Sequence, residues 1–377
     1  MPILLEEDLR RPLPRMYRVR QQFDETRLED VAGTVRAEFA KPEIRALVKP
    51  GMRIAVGVGS RGIQNLYTIV ETTVNSLKEL GAEPFIVSAM GSHGGGTEEG
   101  QREVLAGYGI TEERLGVPVV TTVDTVYLGN CANGRPVWFD RAAYEADLIV
   151  PINRVKLHTD FVGPIQSGLC KMLVIGLGNH KGCSAVHEEA PEVFADAIEE
   201  TARLILQKAP VGFGIAILEN AYDKTYAVEA VPAEHLVERE KELVQIAKGN
   251  MPYIMLDEAD VIVCGAIGKD ISGAGFDPNI LGRSSVLKQF VLHIPRYQRL
   301  VLCDVTPASH GNGIGVGLFD VITKKVAEQL DLESMYANAI ACNCLGDASV
   351  PCTVDDEETA IRVALKCCRN IDRDHPR

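Results

Sequence analysis

The chain has 377 residues, 46% hydrophobic and 24% charged, an ordinary globular balance in a length that one core rarely sustains. Two domains are therefore the starting expectation. A formal charge of −13 argues against a broad phosphate-binding surface and against nucleic acid as a partner, although a few backbone N–H groups and one Arg suffice for a small anion.

The ten cysteines are scattered (Cys131, Cys170, Cys183, Cys264, Cys303) or crowded late (Cys342, Cys344, Cys352, Cys367, Cys368). No C-x-x-C pair occurs, so neither a disulfide framework nor a zinc site is read from them. Residues 1–30 carry many charges and no apolar stretch of secretory-leader length. No run of about 18 apolar residues is present to span a membrane. A reducing cytoplasm and no membrane partner are expected.

From Met52 onward, short apolar runs alternate with helical periodicity, which predicts βα units on a largely parallel sheet. Arg53–Val58 reads as a strand, 64–80 as an amphipathic helix, and 84–89 as the next strand. Thr97 opens a helix running to Gly107 in the N-cap role. Residues 117–122 and 147–151 continue the strands. Between them 126–130 and 135–140 form a hairpin, because Asn133-Gly134 supplies the positive φ that a tight turn needs. Residues 191–207 predict a long helix, 212–219 and 226–231 strands, and 233–248 an acidic helix that serves as the connector. After Gly249–Pro252 the pattern restarts, with strands at 260–265 and 299–304 and helices at 317–330, 332–342 and 357–369. The fold class is thus α/β: two α/β domains, 1–250 and 251–377, with largely parallel sheets and the active site in the cleft between them.

Four polar, Gly-rich turns follow apolar strands, where ligands bind in open α/β sheets. They are Gly59–Asn65, Gly91–Thr97, the stretch from Asn153 to His187, and Gly268–Gly275. Ser60-Arg61 reads either as an anion site or as a surface turn capped by Arg. His93 sits among glycines that allow close approach of a ligand, and His158 follows its own strand in the same topological position. Lys171 lies among apolar residues, which favours a neutral, nucleophilic amine, or else snorkels from a half-buried helix. His158, His180 and His187 fall within thirty residues, which makes a metal plausible, although no HExxH pattern is present. The glycine string Val174–Gly182 resembles a dinucleotide fingerprint but lacks an acidic residue at the end of a second strand.

These features resemble the nickel-dependent lactate racemase family. The resemblance rests on their order: strand then Ser60-Arg61, strand then Gly-Ser-His93, His158-x-x-Phe161-x-Gly163, Ser167-Gly168-x-x-Lys171, and His187 sixteen residues later. It implies a cofactor, the nickel-pincer nucleotide (pyridinium-3,5-bisthiocarboxylic acid mononucleotide nickel), tethered by Lys171 through a thioamide, with His187 completing the nickel coordination. It further implies that His93 and His158 serve as acid and base on opposite faces of a small 2-hydroxy acid, and that Ser60, Arg61 and Gly168 contribute to cofactor binding. The implied partners are that substrate and the host's cofactor-biosynthesis proteins.

The chemistry is coherent with those residue types. The α-hydrogen of a hydroxy acid is too weakly acidic for easy removal as a proton, so it leaves as hydride to a cofactor, and a base takes the hydroxyl proton. Inversion asks the same service on both faces, hence two histidines. The chain departs from the family pattern in two places. An extra Pro164-Ile-Gln segment widens the spacing between His158 and Lys171, and the second domain lacks the Gln-x-x-Lys substrate motif. Lys269 is taken for the missing role, helped by Arg283, Asp277 or Asn279, with a larger or more polar hydroxy acid than lactate expected. His180 is the alternative metal ligand. A nicotinamide-dependent dehydrogenase and a non-catalytic nickel- or nucleotide-binding homologue are the competing readings.

Overall fold

A computed structural model describes residues 3–60 and 62–377. They fall into two compact units: Phe23–Met251, and Pro252–Arg377 with the segment up to Gln22.

The first unit is built on β1 (Arg53–Val58), β2 (Glu83–Ser88), β3 (Val119–Val120), a hairpin of β4 (Thr125–Asn130) and β5 (Pro136–Asp140), then β6 (Leu148–Arg154), β7 (Phe213–Glu219) and β8 (Thr225–Pro232). The main sheet runs β3-β2-β1-β6-β7-β8, parallel except for the antiparallel β7/β8 edge. Chain order reverses between β1 and β6, which makes a topological switch point there.

Alternation along the strands separates two faces. Ile54, Val56 and Val58 of β1, Val150 and Ile152 of β6, and Phe213, Ile215 and Ile217 of β7 enter one core. That core is covered by α1 (Val31–Ala40), α2 (Leu66–Glu79) and α3 (Glu98–Gly107). The α2 face is apolar at helical spacing, with Leu66, Ile69, Val70, Val74 and Leu77 buried. Thr97 caps α3 by accepting the Gly100 N–H at 3.2 Å. The intervening positions Ala55, Gly57, Gly214 and Ala216 face the other way and are small, so a chain segment can lie close on that side. That segment is Leu169–Lys171, one helical turn continuing as a π-helix over Met172–Gly176, followed by α4 (Asn179–His187). The helices α5 (Phe194–Lys208) and α6 (Leu236–Asn250) pack around it.

Two expectations are corrected. The acidic helix expected as a connector is α6, an integral helix of the first unit that packs on β7 and buries Leu236, Val237, Leu243, Val244 and Ala247. Residues 3–22 do not join the first unit as the 1–250 boundary assumed. Leu4 enters an apolar cluster with Val301 and Ala360, and the Gln21 side chain exchanges hydrogen bonds with Tyr253 O (3.0 Å) and Met255 N (2.8 Å).

The second unit has β9 (Val261–Cys264), β10 (Arg299–Leu302), β11 (Val321–Thr323) and β12 (Cys352–Val354), all parallel, in the order β12-β11-β10-β9. The helix predicted over 317–330 is replaced by a short turn, then β11, then α7 (Lys324–Gln329). The β-branched run Val321-Ile322-Thr323 pairs on both sides, and that tertiary pairing overrides local helical periodicity. Two further helices, α8 (Leu332–Ala341) and α9 (Glu357–Lys366), complete it. Among the described residues, no helix is long and apolar enough to cross a membrane.

The hairpin braces α4. Gly182 leaves room for the Trp138 carbonyl, which would lie 2.9 Å from a Cβ there, and Lys181 Nζ stands 3.4 Å over the Trp138 ring. Asp140 closes the arrangement from a fully buried position. It accepts the Ala143 N–H (2.8 Å) and Asn179 Nδ2 (2.9 Å), and its own N–H donates to Leu177 O (2.6 Å). Burial nevertheless pushes its carboxyl up to about 6. A raised carboxyl contributes most below its unfolded value, and that contribution is lost as pH rises through about 6. Between about pH 4 and pH 7 the wild type should therefore lose about 2 kcal/mol relative to Asp140→Asn. Urea unfolding followed by the fluorescence of Trp138, the single tryptophan, measures this; parallel pH profiles would refute it.

Candidate active site

The site grows from the carboxyl ends of β1, β2 and β6, the strands at and beside the switch point. Ser60 follows β1, His93 follows β2, and His158 follows β6. Ser60 Oγ hydrogen-bonds His93 Nδ1. A hydroxyl can donate or accept, so His93 keeps this partner in either protonation state. Arg61, expected beside Ser60 at the anion turn, lies outside the described residues.

The turn bearing His93 is shaped by glycine. Gly94 has φ +65, and a Cβ there would lie 2.6 Å from the Gln101 backbone nitrogen. Gln101, fully buried on α3, fastens the turn to the fold: its Nε2 donates to Gly91 O (3.1 Å) and His93 O (3.4 Å), and its Oε1 accepts from Ser88 Oγ (2.6 Å). The Gly91 N–H donates to Gly176 O at 3.0 Å, which joins this turn to the π segment.

Past β6 the chain stays extended, with Val155 and Leu157 buried and Arg154, Lys156 and His158 alternating with them. Three basic side chains therefore share one side of this stretch. Arg154 is paired with Glu219, and the Lys156 backbone bridges antiparallel to Ser167. The His158 N–H donates to Gln166 Oε1 (2.8 Å), and its Nδ1 accepts from the Asp160 N–H (3.1 Å). Its Nε2 meets Lys171 Nζ at 2.5 Å. The amine at 171 is thus directed at an imidazole.

His187 ends α4, one helical turn after Cys183. Its Nδ1 donates to Cys183 O at 2.7 Å and lies 3.5 Å from Cys183 Sγ. Burial opposes charge on the ring, but the bond to Cys183 outweighs it and raises the His187 pKa. Burial likewise acts to raise the Cys183 thiol, and the hydrogen bond and charge of His187, with Ser92, outweigh it and bring the thiol down. With Nδ1–H committed to a carbonyl, the lone pair of Nε2 is left for a metal, the usual arrangement of a ligating histidine. No three His, Cys, Asp or Glu side chains among the described residues gather to hold a metal by themselves.

Aromatic rings join these pieces. His158 stacks on Phe161 (4.3 Å), Phe161 on Phe194 (4.8 Å), and Phe194 meets His187 (5.2 Å). The His93 turn meets α4 as well, since Cys183 Sγ lies 3.5 Å from a Cβ at Gly91 and the His180 ring lies 3.7 Å from one at Gly96. Ser60, His93, His158, Gly168, Lys171 and His187 therefore belong to one neighbourhood of the first unit, with His180 at its edge.

The second-unit residues occupy their own turns. Lys269 Nζ donates to Gly273 O (2.7 Å) and Asn338 Oδ1. Arg283 pairs with Asp320 (2.8 Å) and donates to Leu318 O (2.8 Å). Asp277 accepts the Asn279 N–H at 2.9 Å, and Asn279 is buried.

Sequence reasoning passed over Gln101, Cys183, the Phe194 ring and Glu240, which packs beneath Gly168. Glu240 carried a readable signal. On α6 it falls in the stripe Leu236, Val237, Leu243, Val244, Ala247, an acid at an apolar position.

Residues 14–196 match the family model of the lactate racemase N-terminal domain. In fold the chain is similar to the lactate racemase apoprotein from Thermoanaerobacterium thermosaccharolyticum, with a TM-score of 0.55 and 12% identity over 92% of this chain and 91% of that one. No curated protein sequence matches the chain.

Gln101→Leu should strand Ser88 Oγ and two turn carbonyls, at a cost of about 1–3 kcal/mol. Hydrogen exchange across 91–96 should rise with it. An unchanged melting temperature and unchanged exchange would show that the turn holds itself.

Proposed function

We propose, from the premise that the chain belongs to the lactate racemase family through residues 14–196, that it is a racemase or epimerase of a 2-hydroxy acid working by reversible hydride transfer with a nickel-pincer nucleotide. The observation that carries this reading is the contact of Lys171 Nζ with His158 Nε2 at 2.5 Å, in the same ring cluster that ends at His187.

The residues present fit the cofactor. Lys171 offers an amine for the tether, and His187 offers Nε2 to the metal. The bound nucleotide supplies an acceptor for the hydride that leaves the substrate α-carbon. His93 and His158 move the hydroxyl proton, one for each configuration at that carbon. Ser60 holds His93 through Nδ1, which leaves its Nε2 for the reaction, while the Asp160 N–H holds His158 through Nδ1 and its Nε2 is the nitrogen that Lys171 meets. Phe161 stacked on His158 keeps that ring in its plane and water away from one face.

Protein purified from a host that makes the cofactor should carry nickel, and its Lys171 peptide should carry added mass. Lys171→Ala should abolish the added mass and His187→Ala should lower nickel retention. His93→Ala and His158→Ala should keep the metal but slow loss of optical rotation in a 2-hydroxy acid panel by about 10²–10⁴-fold. Equal nickel content in wild type, Lys171→Ala and His187→Ala would refute the assignment.

A further inference from the structure

Glu240 is fully buried in the first unit, on the inward stripe of α6. Its Oε2 accepts the Cys170 N–H at 2.8 Å, and the Leu169 N–H and Cys170 thiol also face the carboxyl. Among the described residues, its Oε1 has no hydrogen-bond partner. The fit above it is tight: a Cβ on Gly168 would lie 2.5 Å from the carboxyl carbon and 2.6 and 2.8 Å from its oxygens. Leu or Met would satisfy packing on this stripe, whereas a buried carboxyl without a cation is costly.

The turn that Glu240 holds is gripped elsewhere too. Asn153 Nδ2 donates to Gly168 O (2.7 Å), and Leu169 fills the space left by Gly214 on β7. Lys171 is the next residue after this clamp, and it enters the π-helix directly. A π-helical turn is less regular than an α-turn, so the direction of Lys171 depends on what fixes the residues before it.

We infer that Glu240 is a positioning residue for Lys171: from beneath the turn its carboxyl fixes Gly168–Cys170 and thereby sets the approach of Lys171 Nζ to His158. The inference takes Lys171 as the anchor proposed above, but concerns the amine itself and holds whether or not cofactor is loaded. It also predicts a pH signature. Burial, opposed by the Cys170 and Leu169 N–H groups, pushes the Glu240 carboxyl up to about 7. The titratable group facing it from the Leu169–Lys171 turn is the Cys170 thiol, itself held well above its ordinary value by burial and by Glu240. From α5, Glu199 and Arg203 act on that thiol, while Arg203 and the neighbouring Lys241 are paired with Glu199 and Glu238. On β7 it is Gly214 that faces this turn, against Leu169, and from β8 Glu229 is paired with Arg239 of α6. Ionisation of Glu240 strengthens its hold on the two N–H groups, so the grip tightens as pH rises through neutrality.

The test is competitive labelling of full-length protein, made without nickel or cofactor, by trace acetic anhydride, with Lys171 acetylation read by peptide mass spectrometry relative to exposed Lys208. In wild type this ratio should show a several-fold step between about pH 6 and 8 beyond ordinary lysine titration. Glu240→Gln, similar in shape but unable to ionise, should remove the step. Gly168→Ala, which displaces the carboxyl from the other side, should do the same and serves if Glu240→Gln fails to fold. A wild-type ratio without a step, or a folded variant of either kind with the wild-type profile, overturns the inference. Loss of nickel binding or racemase activity leaves these outcomes untouched, so this proposal and the functional one fail separately.

Discussion

Leu177 Cδ1 comes within 3.8 Å of the place a Cβ would take on Gly57, and Leu169 Cδ1 within 2.6 Å of the corresponding place on Gly214. At Gly214 a Cβ would force displacement, and at Gly57 it would already stand in van der Waals contact with Leu177, with no room for more. The small side chains of β1 and β7 thus create a seat, and the segment Leu169–Leu177 occupies it. From that seat follow the position of Lys171, the start of α4, and through α4 the position of His187. The opposite face, built of Ile, Val and Phe against α1, α2 and α3, supplies the apolar burial that stabilises the unit. One face serves stability and the other serves placement.

The glycines between Val174 and Gly182 take their meaning from the same geometry. A Cβ at Gly176 would lie 2.7 Å from Ala89 O, one at Gly178 2.2 Å from Val174 O, and one at Gly182 2.9 Å from Trp138 O. Their spacing imitates a phosphate-binding fingerprint, yet they lie in a helical segment pressed on the sheet and not in the first strand-to-helix turn. Each glycine is accounted for by the backbone that approaches it.

Legibility in the sequence follows how locally each feature is determined. The strands at 53–58 and 213–219, the amphipathic helix α2 and the Asn-Gly hairpin are written in periodicity and turn chemistry, and they appear within a few residues of where those signals put them. Strand β11 is only three residues long and owes its existence to partners on both sides, so its own sequence passed for helix. The π-helix has no compositional signature: Met172–Gly176 is simply an apolar run. His93 and His158 could be placed after strand ends from the sequence. Ser60 as the partner of His93 and Phe194 as that of His187 could not, because the first contact joins residues 33 apart and the second depends on how α4 meets α5; Cys183, one turn before His187 on α4, lay within reach of helical spacing.

Charge is distributed in a way that bears on how an anionic substrate is held. Lys269 is bonded to Gly273 and Asn338, and Arg283 to Asp320, so recruiting either one to a carboxylate means exchanging hydrogen bonds worth about 1–3 kcal/mol each for those to the ligand. In the first unit, Lys156 shares a side with His158 on an extended stretch. The Arg154 charge there is already met by Glu219. Lys171 is directed at the His158 ring, so the first unit too commits its basic groups to partners of their own. An anion entering either unit must therefore displace existing partners before these cations can hold it.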